Sequence, residues 1–116
     1  MKKFRLTLIT ENQKSLSKGK KFAELICETL NCKNRFEISK YNKFINSYKI
    51  EIIGEITDLN NSISESIELT DRICSPWIIN FNRASNEVEL IFNQSELSNY
   101  RNENFNTLNW ANFEIE

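Results

Sequence analysis

Ser62-Ile63-Ser64-Glu65-Ser66-Ile67-Glu68-Leu69-Thr70-Asp71-Arg72-Ile73-Cys74-Ser75-Pro76 can be read as a strand or as a helix, and the choice separates a mostly-strand chain from a two-helix protein. As a strand, Ile63, Ile67, Leu69 and Ile73 share one parity, but Glu65 and Asp71 fall on the same side. As a helix, Leu59, Ile63, Ile67, Thr70, Ile73 and Cys74 form one stripe, and Glu65, Glu68, Asp71 and Arg72 lie opposite. Ser62 and Glu65 stand at capping-box spacing, in which each side chain satisfies a free amide of the first turn. Pro76 stops the pattern, because proline has no amide proton and crowds the preceding turn. The helical pattern has fewer violations, so residues 58–74 are expected to contain a helix.

Upstream, Phe4, Leu6 and Leu8 alternate with Arg5, Thr7 and Ile9, which predicts a strand. Phe22, Leu25, Ile26 and Leu30 recur at helical spacing, with Lys20, Lys21, Glu24 and Glu28 on the other side. Ser15 or Ser17 can cap the start of that helix, and Asn31 can close its end in left-handed geometry. Phe36 and Ile38 open a second strand, Asn42-Lys43 supplies a tight turn, and a third strand is expected from Phe44 to Ile56. Trp77, Ile79 and Phe81 predict a fourth strand, and Val88, Leu90 and Phe92 a fifth, joined by a loop over Arg83-Ala84-Ser85-Asn86. Beyond Gln94 the chain is Asn-rich but still carries Leu97, Tyr100, Phe105, Leu108, Trp110, Phe113 and Ile115, more apolar bulk than disorder needs. A helical turn near residues 95–101 and a last strand near 110–115 are expected there.

The resulting order is βαββαββ with a tail. Two helices on one face of an antiparallel sheet is the economical arrangement, so the expected class is α+β, with a ferredoxin-like core extended at its C-terminal edge. The sheet's other face would be open to solvent and would carry Arg5, Thr7, Ile9, Glu37, Tyr41, Lys49, Glu51, Ile53, Glu55, Glu87, Glu89 and Ile91.

At 116 residues the chain fits one domain, 1–116, and its 40% hydrophobic content is globular. The net charge of −1 hides an asymmetry: residues 1–58 carry twelve Lys/Arg against seven Asp/Glu, whereas residues 59–116 carry three against nine. An acidic half of this kind suits a basic partner. No apolar run reaches the ~20 residues that cross a bilayer, and the start has no apolar signal region, so a cytoplasmic chain is expected. Cys27, Cys32 and Cys74 are odd in number, and the first two are five apart, which is not the spacing of a redox or zinc pair. They read as reduced thiols.

Catalysis finds little to work with. The chain has no His, the commonest general base near neutral pH. Gly19 and Gly54 are its only glycines, so a Gly-rich phosphate loop or dinucleotide turn cannot be built. Asp58, Asn60 and Asn61 lack the ligand ladder of a calcium loop. No cofactor or metal is expected, and no enzyme activity. An RNA-binding sheet needs open-face aromatics and a positive field, whereas this face offers Tyr41 and five Glu. Nucleic acid is therefore disfavoured, and a protein partner is expected instead.

The candidate contact residues are Glu51, Ile53, Glu55, Glu87, Glu89 and Ile91 on the face, with Tyr100 and Trp110 as aromatic anchors from the tail. Trp77-Ile78-Ile79-Asn80-Phe81-Asn82 followed by Val88-Glu89-Leu90-Ile91-Phe92-Asn93 resembles a hairpin of bacterial toxin-immunity proteins, including those of contact-dependent growth inhibition. That resemblance extends to the chain's overall character: small, acidic on one side and without catalytic groups. It implies an antitoxin-like inhibitor that covers the basic cleft of a cognate toxin domain, often a nuclease. The alternatives are a ferredoxin-like module that binds a small ligand or self-associates, and an RNA-binding domain.

Overall fold

Alternating apolar residues bury one side of a strand, and a strand with a partner on each edge becomes the middle of a sheet. Lys3–Thr10 does both and forms the central strand β1. The computed structural model describes every residue except Met1, Asn34, Arg83, Asn86 and Glu116, and Leu59 by its backbone alone. After β1 come α1 (Leu16–Thr29), β2 (Phe36–Lys40), β3 (Tyr48–Glu55), α2 (Ser62–Asp71), β4 (Cys74–Ser75), β5 (Ile78–Asn82), β6 (Glu87–Asn93), β7 (Asn99–Tyr100) and β8 (Leu108–Ile115). Six strands form one sheet in the order β2-β3-β1-β8-β6-β5, and every neighbouring pair is antiparallel. β4 and β7 pair separately. The α+β class is as the sequence predicts.

The extension of the sheet is not where it was expected. β8 sits in the interior, between β1 and β6, and the β5–β6 hairpin forms the outer edge. The reason is burial: Ala111 and Phe113 of β8 are fully enclosed, whereas every residue of β5 is exposed. Sequence halves thereby become sheet halves, with β2, β3 and β1 from residues 3–55 and β8, β6 and β5 from residues 78–115. The register aligns Phe4 with Ile115, so the two outermost strand ends lie side by side.

One irregularity sets which side chains of β8 face inward. Ile9 pairs with Trp110, but Thr10 pairs with Leu108, so Asn109 is an extra residue. Such a bulge shifts the alternation by one. Leu108 therefore joins the core with Ala111 and Phe113, and Trp110 comes out on the opposite face.

Phe4, Leu6, Leu8, Ile50, Ile52, Val88, Leu90, Phe92 and Phe113 make the inner face of the sheet. Phe22, Ala23 and Ile26 of α1 and Leu69 of α2 pack into the same cluster. Phe4 stacks on Phe113 with ring centroids 4.8 Å apart. Gly54 lies beneath the Phe4 ring, where a Cβ would come within 2.3 Å of Phe4 Cζ, so a larger residue has no room. Two helices, each about 10 Å wide, cannot cover six strands spaced about 4.8 Å apart. β5 is the strand left bare: Ile79 and Phe81 are 46% and 45% exposed on the helix side.

Several local expectations change. β3 begins at Tyr48 rather than Phe44, because residues 41–47 form a loop closed by Asn46 at φ 56° and by the Tyr41 amide donating to Ser47 O at 2.9 Å. Tyr41 consequently leaves the strand and packs near Phe44. Over residues 95–101 a single turn closes, with the Ser98 amide donating to Ser95 O at 3.1 Å, and no helix follows it. Asn99 and Tyr100 pair with Ser75 and Cys74, held by Arg101, whose guanidinium donates to Asp71 Oδ1 at 2.7 Å. The loop expected over residues 83–86 is described at Ala84 and Ser85; Arg83 and Asn86 lie outside the described residues. Ser15 does cap α1, accepting from the Lys18 amide at 3.3 Å.

The capping box at Ser62 is also replaced. The cap position of α2 is Asn61, and its side chain makes no capping bond. Glu65 instead reaches back to the preceding loop. It accepts from the Thr57 amide at 2.9 Å, the Thr57 hydroxyl at 2.9 Å and the Asp58 amide at 2.7 Å. Partial burial pushes its carboxyl up, but the Thr57 and Asp58 amides and the Thr57 hydroxyl prevail and hold it below the usual carboxylate range. A carboxyl with a depressed folded pKa stabilises the fold above its unfolded pKa and loses that contribution as pH falls through the folded value. Glu65→Gln should therefore lower stability at pH 7 by about 1 kcal/mol. Urea titrations of both proteins should converge once the pH is below the depressed value; a difference that stays constant through acid would show that the charge plays no part.

Candidate protein-binding face

Strand register fixes the layout of the uncovered face. One row across the sheet runs Ile53, Arg5, Glu114, Glu89, Asn80. The next runs Glu37, Glu51, Thr7, Asn112, Ile91, Ile78. A third runs Ser39, Lys49, Ile9, Trp110, Asn93. Outside the first row, Glu55 pairs with Lys3 and Glu87 with Asn82.

The two halves of this face differ in charge. On β2, β3 and β1, Glu37, Glu51 and Glu55 are matched by Lys3, Arg5 and Lys49, and Lys49 lies 3.3 Å from Glu51. On β8, β6 and β5, Glu87, Glu89 and Glu114 stand among Asn and apolar residues, with no Lys or Arg at any described strand position. Glu89 and Glu114 are directly opposite each other on neighbouring strands. Like charges so placed cost stability, of the order of 0.2–1 kcal/mol, and Arg5, on the far side of Glu114, offsets part of that.

Apolar groups sit between the carboxylates. Ile78 is 61% exposed beside the half-buried Ile91. Trp110 is half-buried, and Ile9 beside it is only 6% exposed although it belongs to the open face. An apolar centre with an acidic surround is the composition of a protein contact patch.

Of the eight residues the sequence singles out, Glu51, Ile53, Glu55, Glu87, Glu89, Ile91 and Trp110 share this face. Glu51, Ile53 and Glu55 belong to the charge-balanced half, and Glu87, Glu89, Ile91 and Trp110 to the acidic half. Tyr100 is elsewhere. It pairs with Cys74, stands edge-on to Phe92 and donates its hydroxyl to Leu108 O at 2.8 Å, so it braces the helix side. Phe113 is buried in the core. Sequence reading missed Ile78, Asn112 and Glu114. Ile78 was visible as the opposite parity to Ile79, and Asn112 and Glu114 as the same parity as Trp110.

Elsewhere, a cleft of about 650 Å³ lies between the end of α1 and α2, lined by residues including Leu30, Cys32, Glu65, Leu69 and Arg72. Arg72 is already committed to Glu68 and Glu65 to the loop amides. Among the described residues no cluster of three His, Cys, Asp or Glu is arranged to hold a metal, and no helix is long and apolar enough to cross a membrane. Known family models, curated proteins and solved structures were all compared with the chain, and none matches it.

Proposed function

We propose that this protein is a non-catalytic inhibitor of the immunity type, acting in the cytoplasm, which binds a basic protein domain through the β8–β6–β5 half of its open face. The observation that carries this reading is the Glu89–Glu114 opposition on a half-face whose described strand positions hold no Lys or Arg, relieved only in part by Arg5 of β1 beside Glu114. A sheet tolerates such a pair at a cost in its own stability, and a cationic partner turns the cost into attraction. Carboxylates at Glu87, Glu89 and Glu114 take the place of the phosphates that a nuclease cleft would hold, and Ile78, Ile91 and Trp110 supply apolar area that contact would bury. The test is the activity of a basic nuclease toxin domain encoded beside this chain, assayed with and without equimolar protein. Suppressed turnover and a one-to-one complex are the expected results; full turnover with no complex sinks the proposal.

A second reading, self-association, is favoured by β5. An edge strand normally carries charge, proline or a bulge that prevents further pairing, whereas Ile78-Ile79-Asn80-Phe81-Asn82 is uncharged and regular, and each of its residues is exposed. Antiparallel pairing with a second copy centred on Asn80 would set Ile79 against Phe81 twice on the helix side. Sedimentation should then show a concentration-dependent dimer that Ile79→Lys dissociates. A wild-type monomer at the highest soluble concentration ends this reading.

A further inference from the structure

Helix α1 ends in a six-residue clasp. Asn31 takes φ 55°, its amide donates to Glu28 O at 3.0 Å, and the Cys32 amide donates to Cys27 O at 3.0 Å. These are the two bonds of the Schellman motif, which also brings the side chains at its first and last positions together. Here those positions are Cys27 and Cys32. A spacing of five, which looks unlike a thiol pair in sequence, is thus closed by the helix terminus.

We infer that Cys27 and Cys32 form a reversible disulfide when the protein meets a peroxide, making this clasp an oxidative modification site. The two residues are joined by a main-chain hydrogen bond, the Cys32 amide donating to Cys27 O at 3.0 Å, which closes the motif around them. A disulfide needs such closeness, with Cα atoms roughly 4.4–6.8 Å apart. Their exposures divide the roles. Cys32 is half-buried and lines the 650 Å³ cleft, where a small oxidant can reach it; Cys27 is fully enclosed behind it. The neighbouring Cys27 thiol lowers the Cys32 thiol, whereas Cys27 is pushed up by its Cys32 neighbour and by burial. Cys32 is thus the attacking thiolate and Cys27 the resolving thiol.

The chemistry balances with hydrogen peroxide as oxidant. The Cys32 thiolate attacks one peroxide oxygen, the O–O bond breaks, and the departing hydroxide takes a proton to become water. Cys32 is left as a sulfenic acid. The Cys27 sulfur then attacks the Cys32 sulfur, the S–O bond breaks, and the second hydroxide leaves with the Cys27 proton as water. Two thiols and one peroxide give one disulfide and two waters. Cys74 stays out of this exchange: it is buried, and burial pushes its thiol up to about 12.

The experiment uses the full chain with an equimolar amount of hydrogen peroxide at pH 7, followed by thiol counting and peptide mass spectrometry. The count should fall from the three thiols present to one. The peptides should show Cys27 joined to Cys32 within one chain, and dithiothreitol should restore all thiols. In Cys27→Ala, which leaves Cys32 without a resolving partner, the sulfenic acid should persist long enough to be trapped by dimedone. An unchanged thiol count, a bridge to Cys74, or progression of wild-type Cys32 to sulfinic acid without bridging overturns the inference.

Discussion

Replacing Phe113 by alanine is expected to cost about 3–5 kcal/mol of unfolding free energy, the usual range for removing a buried aromatic ring. Three observations place it at the upper end of core substitutions. The ring is fully enclosed, it stacks on Phe4 at 4.8 Å, and it sits on β8, the strand that joins the two halves of the sheet. The site has little capacity to collapse, because Phe4 is confined from its other side by the Gly54 backbone. Domains of this size have only about 5–15 kcal/mol in total, so one truncation removes a large part of the margin. Urea unfolding followed by tryptophan fluorescence measures it: the midpoint should fall sharply with little change in slope. A loss under about 1 kcal/mol, far below the range for such a truncation, would mean that β8 is not packed as described.

The second large effect concerns binding rather than folding. Glu87→Lys combined with Glu89→Lys should slow association with a basic toxin domain by about 10- to 100-fold at low salt, because steering acts on the approach of two charged surfaces. Dissociation should change less. Raising the salt concentration should slow the wild type towards the variant, since charges separated by more than a Debye length are screened. Stability gives the informative contrast. The lysine introduced by Glu89→Lys would oppose Glu114 and convert a repulsive pair into an attractive one. The variant should therefore be as stable as the wild type or more so, by roughly 0.2–1 kcal/mol. A variant that binds poorly because it is unfolded would show the opposite. Association indifferent to both charge reversal and salt would remove the acidic face from the account.

How far the sequence led is clearest on individual strands. Alternation in Phe4–Leu8 and in Val88–Phe92 gave both the strands and their inward faces, because each keeps an unbroken period of two. Six of the contact candidates followed directly, since Glu51, Ile53, Glu55, Glu87, Glu89 and Ile91 hold the parity opposite to buried neighbours. Helix α2 was legible as a helix, but its buried side was not, since Ser66, Leu69 and Thr70 face the core while Ile63 and Ile67 of the expected stripe are 39% and 43% exposed, and neither was its capping. Glu65 bonds to Thr57 and Asp58, and no local pattern distinguishes that from a capping box. Strand order in space was also hidden. Nothing near Leu108–Ile115 states that it will pair with β1 and β6 at once, because pairing is settled by contacts distant along the chain. Leu108 reached the core beside Ala111 and Phe113 through a single extra residue, Asn109, which breaks the period on which the sequence reading depends. The closeness of Cys27 and Cys32 is hidden for a related reason: a spacing of five matches no metal or redox motif, and only the left-handed turn at a helix end closes it.

The side-by-side placement of Phe4 and Ile115 has a mechanical consequence. Tension applied at these two points would act across neighbouring antiparallel strands from the same end. Their rungs would then carry the load one after another, as the teeth of a zip do, and never all together as in shear. β1 and β8 are the innermost strands of the sheet and among its best protected against thermal opening. Under force from their shared end they would be the first to part, so the hardest place to melt is also the easiest place to peel.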